Sequence, residues 1–478
     1  MNKKLTLVTA QILLAILSLC LFAFGGCSHN VIDYGSVDNI VYSQHVQPLF
    51  KKNCLSSGCH NSADRANGLN LSSWDSLIRG SDFGAVLISG SAEHSHLVEH
   101  LKGEALPPMP LKQKPLPREQ IEFIARWVDE GARNDAGQRP YENITKKVYV
   151  SNQGADLITV ISTEHNLVTR LLPVGDMEGL LDVPHNLAID RQNRFLYASL
   201  ITTGEVWKFD TITDGFVGKA QAGNSPANVV VSPDGTKAYV TNWDITNPNG
   251  RVVQVIDTAT LTAIKQINVG LAPHGINFSH DGQFIYVTNY RSDSISILRA
   301  ADDQEVARVL LSSDVNPARP SNKYQPLQVA LTPDDRFAYV TCFGTGEVRV
   351  IDTSTQSVIA AIQVGQSPFL LEGTPNGAHI FVANQQSNDV SVIRIADNQI
   401  LATIKSPSFA NPHGVAFTPD GRYAYITTEN LSGNFNPHHP SEHGGNPGNV
   451  VVIDTQTFQV IKTIEVEADP TGVVVVER

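Results

Sequence analysis

Five cysteines in 478 residues are too few to staple a fold of this length together. A disulfide framework is therefore excluded as the source of stability. Charge is sparse too, at 17% of residues, and its balance is acidic, with a formal net charge of −12. No basic stretch interleaved with aromatic residues is present, so nucleic acid is not expected as a partner. An acidic surface of this kind favours basic partner proteins. The hydrophobic fraction is 41%. At this length the chain has room for two domains with ample core.

The N-terminus reads as an export signal. Lys3 and Lys4 stand before an apolar run that continues to Phe24. Gly25-Gly26-Cys27 resembles a bacterial lipoprotein cleavage site, although Phe24 stands where leucine is usual. The resemblance implies that residues 1–26 are removed and that Cys27 carries acyl chains. More than one chain would hold the protein firmly to a membrane. In that family Ser28 favours the outer membrane, so the expected location is the periplasm or outer membrane. Cleavage after Gly25 by an ordinary signal peptidase is the alternative. Loss of Lys3 and Lys4 with the signal removes two positive charges and takes the net charge from −12 to −14. Residues 27–40 then form a linker.

The most specific motif is Cys54-Leu-Ser-Ser-Gly-Cys59-His60. Two thiols on one loop can bond both vinyl groups on one edge of a porphyrin, and the next residue places an imidazole near the iron. The common form is C-x-x-C-H; here the loop is two residues longer. Before it, residues 42–50 carry apolar side chains at helical spacing. After it come Gly68-Leu69-Asn70-Leu71, Ser95-His96-Leu97 and Leu106-Pro107-Pro108-Met109-Pro110. A closing helix is predicted over 117–132, with Ile121, Ile124, Ala125 and Val128 on one face. Pro117 suits its first turn and Gly131 its stop.

The order of these pieces, with Trp127 and Gly131-Ala132 near the end, resembles a single-haem cytochrome c domain over residues 41–135. The resemblance implies one covalent haem c on Cys54 and Cys59. It makes His60 the proximal iron ligand and Met109 the distal one, a thioether that raises the potential. His94, His96 and His100 are rival distal ligands, and His96 and His100 share a helical face.

With Cys20 in the signal, Cys27 at the lipid site and two cysteines on haem, Cys342 is left alone. It ends the apolar strand pattern 337–342, so a buried, inert thiol is expected.

The second half is periodic. Each unit opens on a proline before an apolar strand, then Pro-Asp-Gly or similar, a second strand, a polar turn, a strand ending Ile-Asp-Thr, and a fourth strand ending Val-Gly. The opening prolines are Pro184, Pro226, Pro273, Pro326, Pro368, Pro412 and Pro470. Four strands per unit of roughly 40–60 residues read as propeller blades. The repeats resemble YVTN-type bacterial β-propellers over residues 146–478, with residues 136–145 as linker. The first unit lacks its inner strand and the last lacks its partner strands. The expected fold is therefore a small all-α cytochrome c domain followed by an all-β seven-bladed propeller closed by the C-terminal strand.

Pro184-His185, Pro273-His274 and Pro412-His413 place histidines at one repeat phase, around one mouth of the central channel. A long insertion in the last blade, bearing His438, His439 and His443, is expected on the same face. His165 and His280 fall in turns of the opposite face and are set aside. Clustered imidazoles suit a metal or a second haem.

Two main functions follow. The first is a c-type haem electron-transfer protein whose propeller docks a redox partner. The second is a two-domain redox enzyme with a cofactor at the propeller mouth, an organisation that resembles haem-containing nitrite reductases and, in its histidines, nitrous oxide reductases. Those nitrite reductases have eight blades rather than seven. A surface binding protein is a third reading.

Overall fold

The computed structural model describes residues 34–247, 250–316, 321–438 and 445–478. The segment read as an export signal, with Cys27, and His439 and His443 lie outside the described residues.

The N-terminal region is a small helical unit. A wide helical turn at Tyr42–Val46 runs into α1 (Gln47–Asn53). Then come α2 (Trp74–Leu77), α3 (His96–Lys102) and α4 (Arg118–Asp129). Pro117 sits one residue before α4, as its extended cap, rather than inside the first turn. Its proline ring needs no backbone donor there. The apolar stripe of α4 buries Phe123, Ile124, Trp127 and Val128 against Phe50, Leu77 and Val98. Gly131, at φ +104°, turns the chain out of the helix.

From Lys146 onward the chain forms seven four-stranded antiparallel sheets. All seven prolines open the innermost strands, at Pro184–Ile189, Pro226–Val231, Pro273–Phe278, Pro326–Leu331, Pro368–Gly373, Pro412–Phe417 and Pro470–Glu477. The C-terminal strand pairs with Lys146–Asn152, with Val150 opposite Val473 and Lys147 opposite Val476. Blade 1 thus contains both ends of the propeller, and closure removes an open seam.

Strand position explains the residue pattern. Second strands are buried on both faces by neighbouring blades, whereas outer strands such as Thr262–Asn268 alternate toward solvent. Each second strand carries one aromatic residue at the same phase: Tyr149, Tyr197, Tyr239, Tyr286, Tyr339, Phe381 and Tyr425, all buried. Some reach across to the next blade: Tyr149 Oη donates to Asp214 at 2.6 Å and Tyr239 Oη to Asp303 at 2.6 Å. Asp214 also pairs with buried Lys147 at 2.8 Å and with Arg170. These bonds satisfy polar groups that the stacking of blades removes from water.

The helical unit packs on the outer strands of blades 7 and 1. Ile88 and Ala85 join Val168, Leu171, Ile464 and Val466 in one apolar cluster. Tyr141 Oη donates to the Ile78 carbonyl at 2.7 Å, and Phe83 stacks on His438 with ring centres 4.2 Å apart.

Candidate functional sites

Helix α1 delivers Cys54 at its C-terminal end, where the Cys54 N–H bonds the Phe50 carbonyl at 2.8 Å. The loop then folds back on itself. Cys59 N–H bonds Ser56 O at 3.1 Å, and His60 N–H bonds Cys54 O at 3.0 Å. Asp64 accepts from Gly58 N–H at 2.8 Å, and Asn61 Nδ2 bonds Ser56 O at 3.0 Å. The two additional residues are thus absorbed in a compact turn. Cys54 is buried in the helical core, Cys59 lies at its edge, and both thiols are free. Burial, then neighbouring Cys59, pushes the Cys54 thiol up to about 11. The His60 Nδ1 is buried without a partner, and burial lowers the imidazole's pKa.

Met109 is half-buried against the same core. Its N–H bonds the His100 carbonyl at 2.8 Å, and His100 Nδ1 meets the Pro107 carbonyl at 2.9 Å. Of the rival histidines, His100 therefore stands beside the Met109 loop, near enough to His60 to oppose its protonation. His94 bonds Ser91 at 2.7 Å and His96 bonds Glu99 at 2.8 Å; both line the cleft between the helical unit and the propeller. The sequence placed His96 and His100 on one face, yet they engage different surroundings.

These residues fit a covalent haem. Two free thiols share one short loop, an adjacent buried imidazole nitrogen lacks a partner, and a thioether packs on the same core.

The propeller gathers the three repeat-phase histidines. His185, His274 and His413 are each the second residue of an inner strand and all are buried. Ring centres are 5.6 Å apart for His185 and His274 and 5.5 Å for His185 and His413, at interplanar angles of 80° and 88°. His274 Nδ1 donates to the Leu327 carbonyl at 3.0 Å, and its Nε2 is buried without a partner. His185 Nδ1 meets Gln153 Oε1 at 3.1 Å. Neither nitrogen of His413 has a hydrogen-bond partner of normal geometry. Burial drives all three toward neutrality: His185 to about 3, His274 to about 4, and His413 well below its usual value.

Trp243 packs edge-on against His274 at 5.0 Å, with its own Nε1 buried and unpartnered. Phe369 stacks on His413 at 4.0 Å. Glu429 Oε1 lies 4.0 Å from His413 Nε2 and accepts from Gln385 through its other oxygen at 2.6 Å. Burial pushes Glu429 up to about 8. The rings meet, yet among the described residues no three His, Cys, Asp or Glu donors are gathered at a point that would hold a metal ion.

His438 does not join this mouth. It stacks on Phe83 of the helical unit, and Glu465 on the outermost strand of blade 7 accepts from its main-chain N–H at 3.0 Å. The insertion is expected on the face of this mouth; within it, His438 stands beside the outer strand of blade 7, on Phe83 and Glu465, rather than beside the three rings. The reason is that the helical unit covers that edge of the blade and supplies a stacking partner.

The sequence reading also missed the opposite mouth. Glu372, His280, Arg191 and Asn277 line a cleft there of about 300 Å³. Burial pushes Glu372 up to about 7. Asp335 orients His280, with Oδ1 3.0 Å from its Nδ1. A signal was available: at the fifth position of the seven inner strands the residues are Ala188, Val230, Asn277, Ala330, Glu372, Ala416 and Val474, and only one is charged.

Comparison with known proteins agrees with the two-part architecture. Residues 206–364 match the family model described as lactonase, 7-bladed beta-propeller, and residues 56–111 match Planctomycete cytochrome C. The second match contains Cys59, His60 and Met109 but not Cys54. YwhL of Bacillus subtilis is 26% identical over 226 residues, 47% of this chain and 45% of that protein. YncE of Salmonella typhi is 24% identical over 181 residues, 38% of this chain and 48% of that protein. The chain thus spans about half the length of these curated relatives. A solved structure of Kuenenia stuttgartiensis hydrazine synthase superposes with a TM-score of 0.51 at 20% identity, covering 63% of this chain and 93% of that one. At that identity the likeness is one of fold. The chain therefore combines a cytochrome c-like domain with a seven-bladed propeller.

Proposed function

We propose that this protein is an exported c-type haem electron-transfer protein, held at the periplasmic or outer-membrane surface through acylated Cys27, with the propeller as a docking platform for a redox partner. The observation that carries this reading is the Cys54–His60 loop. It presents two free thiols and an unpartnered buried imidazole nitrogen beside a core that also holds Met109. When bound, a haem supplies reversible one-electron chemistry at its iron. The chain's own residues do the rest. Cys54 and Cys59 would bond the haem covalently and His60 would offer a nitrogen ligand to its iron. Phe50, Val98 and Trp127, buried in the adjoining core, would keep water from a centre held there and so favour its less charged state.

Nothing in this role needs substrate chemistry in the propeller. Its acidic surface suits a basic partner, which electrostatic attraction would steer at low ionic strength. The test is production of the full chain in a host that attaches c-type haem. Iron should be found at one per chain, with absorption that stays with the polypeptide after denaturation. A colourless, iron-free product that is otherwise folded would end this reading.

A further inference from the structure

The propeller mouth away from His185, His274 and His413 carries an inference that does not depend on the haem. We infer that the cleft there binds a small monocarboxylate with a short apolar body, its carboxylate taken by Arg191 and Glu372 and its body by the wall of Val231, Phe278 and Leu331.

The first argument is that the cleft gathers departures from the repeat. Between the first and second strands of blades 2 to 7 the chain makes the same turn. Its second residue is Pro233, Pro333, Pro375 or Pro419 in four of them, whereas blades 2 and 4 carry Arg191 and His280. Its fourth residue takes a positive φ and is glycine in four blades, at Gly235, Gly282, Gly377 and Gly421; blade 5 has Asp335 there, at φ +56°. That backbone conformation is disfavoured for a residue with a Cβ. Asp335 uses the position to hold His280. Its Oδ1 accepts from the His280 N–H at 2.8 Å and lies 3.0 Å from Nδ1, and its Oδ2 accepts from the Asp281 N–H at 3.0 Å. Arg191 Nη2 donates to the His280 carbonyl at 2.8 Å, reaching from blade 2 to blade 4 past the turn of blade 3. With Glu372, the one charged residue at its strand position, Arg191 and His280 line a single cleft of about 300 Å³.

The second argument is that Glu372 has no structural task. The acids between blades are paired: Asp214 meets Lys147 at 2.8 Å and Tyr149 at 2.6 Å. Glu372 accepts only from the N–H of its own neighbour Gly373, at 3.2 Å, among the described residues. Withdrawing a carboxyl from water without such a partner is unfavourable. Burial pushes it up to about 7, so at mildly acidic pH it carries a proton that it can donate.

The third argument is complementarity. One nitrogen of Arg191 is engaged, and its guanidinium has further N–H groups to offer a planar carboxylate. A protonated carboxyl in the same cleft gives that anion an O–H···O⁻ bond, one of the stronger kinds. A single permanent positive charge matches a monoanion better than a phosphate dianion. Val231, Phe278 and Leu331 offer an apolar surface to the remainder of the ligand.

The test uses the full, haem-loaded chain at mildly acidic pH, titrated calorimetrically with benzoate and with hexanoate. Inorganic phosphate serves as an anion without an apolar body, and benzyl alcohol as a body without the charge. The expected result is saturable binding of one carboxylate per chain, with phosphate and benzyl alcohol at least about tenfold weaker. R191Q and E372A should each weaken carboxylate binding by about tenfold, and E372Q, which keeps a donor, should restore it to within about threefold of the parent. H438A, at the seam with the helical unit, should bind as the parent does. Circular dichroism and haem absorption confirm that each variant is folded; Arg191 lies in an exposed turn, so R191Q keeps the test open should a Glu372 variant unfold. No saturable binding of either carboxylate, phosphate or benzyl alcohol binding as tightly, or unchanged affinity in folded R191Q or E372A would overturn the inference.

Discussion

The molecule places histidines in two kinds of setting. His60 belongs to a loop of seven residues whose hydrogen bonds are nearly all local: His60 to Cys54, Cys59 to Ser56, Gly58 to Asp64. His185, His274 and His413 come from three blades spread over more than two hundred residues and meet only because the ring closes. The first site is specified by spacing along the chain. The second is specified by repeat phase, since the same strand position in every blade faces the same channel. A local site tolerates loosening of the fold around it; a ring-assembled site does not.

That contrast can be broken experimentally. The largest effect is expected from C54S/C59S, which should abolish covalent haem entirely while leaving the propeller folded and its mouth unchanged. Haem absorption on denaturing gels checks this, and persistence of attached haem would remove the local site from its loop. Next, M109A should lower the midpoint potential by on the order of 0.1 V, within the roughly 0.8 V that axial ligands span. H100A should change it far less. The reverse order in potentiometry would make His100 the distal ligand.

D214N tests the ring from the other side. It leaves Lys147, which is 1% exposed, without its charge partner between blades 1 and 2. Breaking such a buried pair costs about 3–5 kcal/mol. The propeller's denaturation midpoint should fall accordingly, with haem attachment intact; joint loss of both would show that the sites are not separable.

A smaller effect concerns the seam between the two regions. Burial, then Glu99 and Glu465, pushes Glu467 up to about 7 from its ordinary 4.5. His96 and His438 face the same cluster through their carboxylate bonds. A carboxyl raised on folding favours the folded seam fully below about pH 4.5, and that contribution is lost as pH rises through about 7. Thermal midpoints measured across this window should fall by a few degrees, and E467Q should flatten the trend. A wild-type profile identical to that of E467Q would show that the carboxyl does not sense the seam.

Much of this was legible in the chain. The seven prolines announced seven inner strands, and the unmatched strand patterns at the two ends of the repeat region announced closure by the C-terminus. Cys342, alone in its strand, is fully buried, and burial raises its thiol. Other features were not legible because they depend on what packs beside them. His438 carries no mark in the sequence that it stacks on Phe83. Glu99 reads as one more helical acid, yet it is buried, bonded to His96 and near enough to Glu467 of the propeller to help raise that carboxyl. Glu372 looks like any strand residue until seven inner strands are aligned around a channel.

The sequence by itself determined the cysteine-histidine loop, the blade count and the phase of the mouth histidines, because each follows from short-range spacing or from a repeat that maps one position onto one face. Only the tertiary structure decided which imidazoles touch, which buried nitrogens go unpartnered and which carboxyls are driven toward neutrality. Those outcomes depend on distance and on exclusion of water between residues far apart in the chain, and neither is written in the order of the residues.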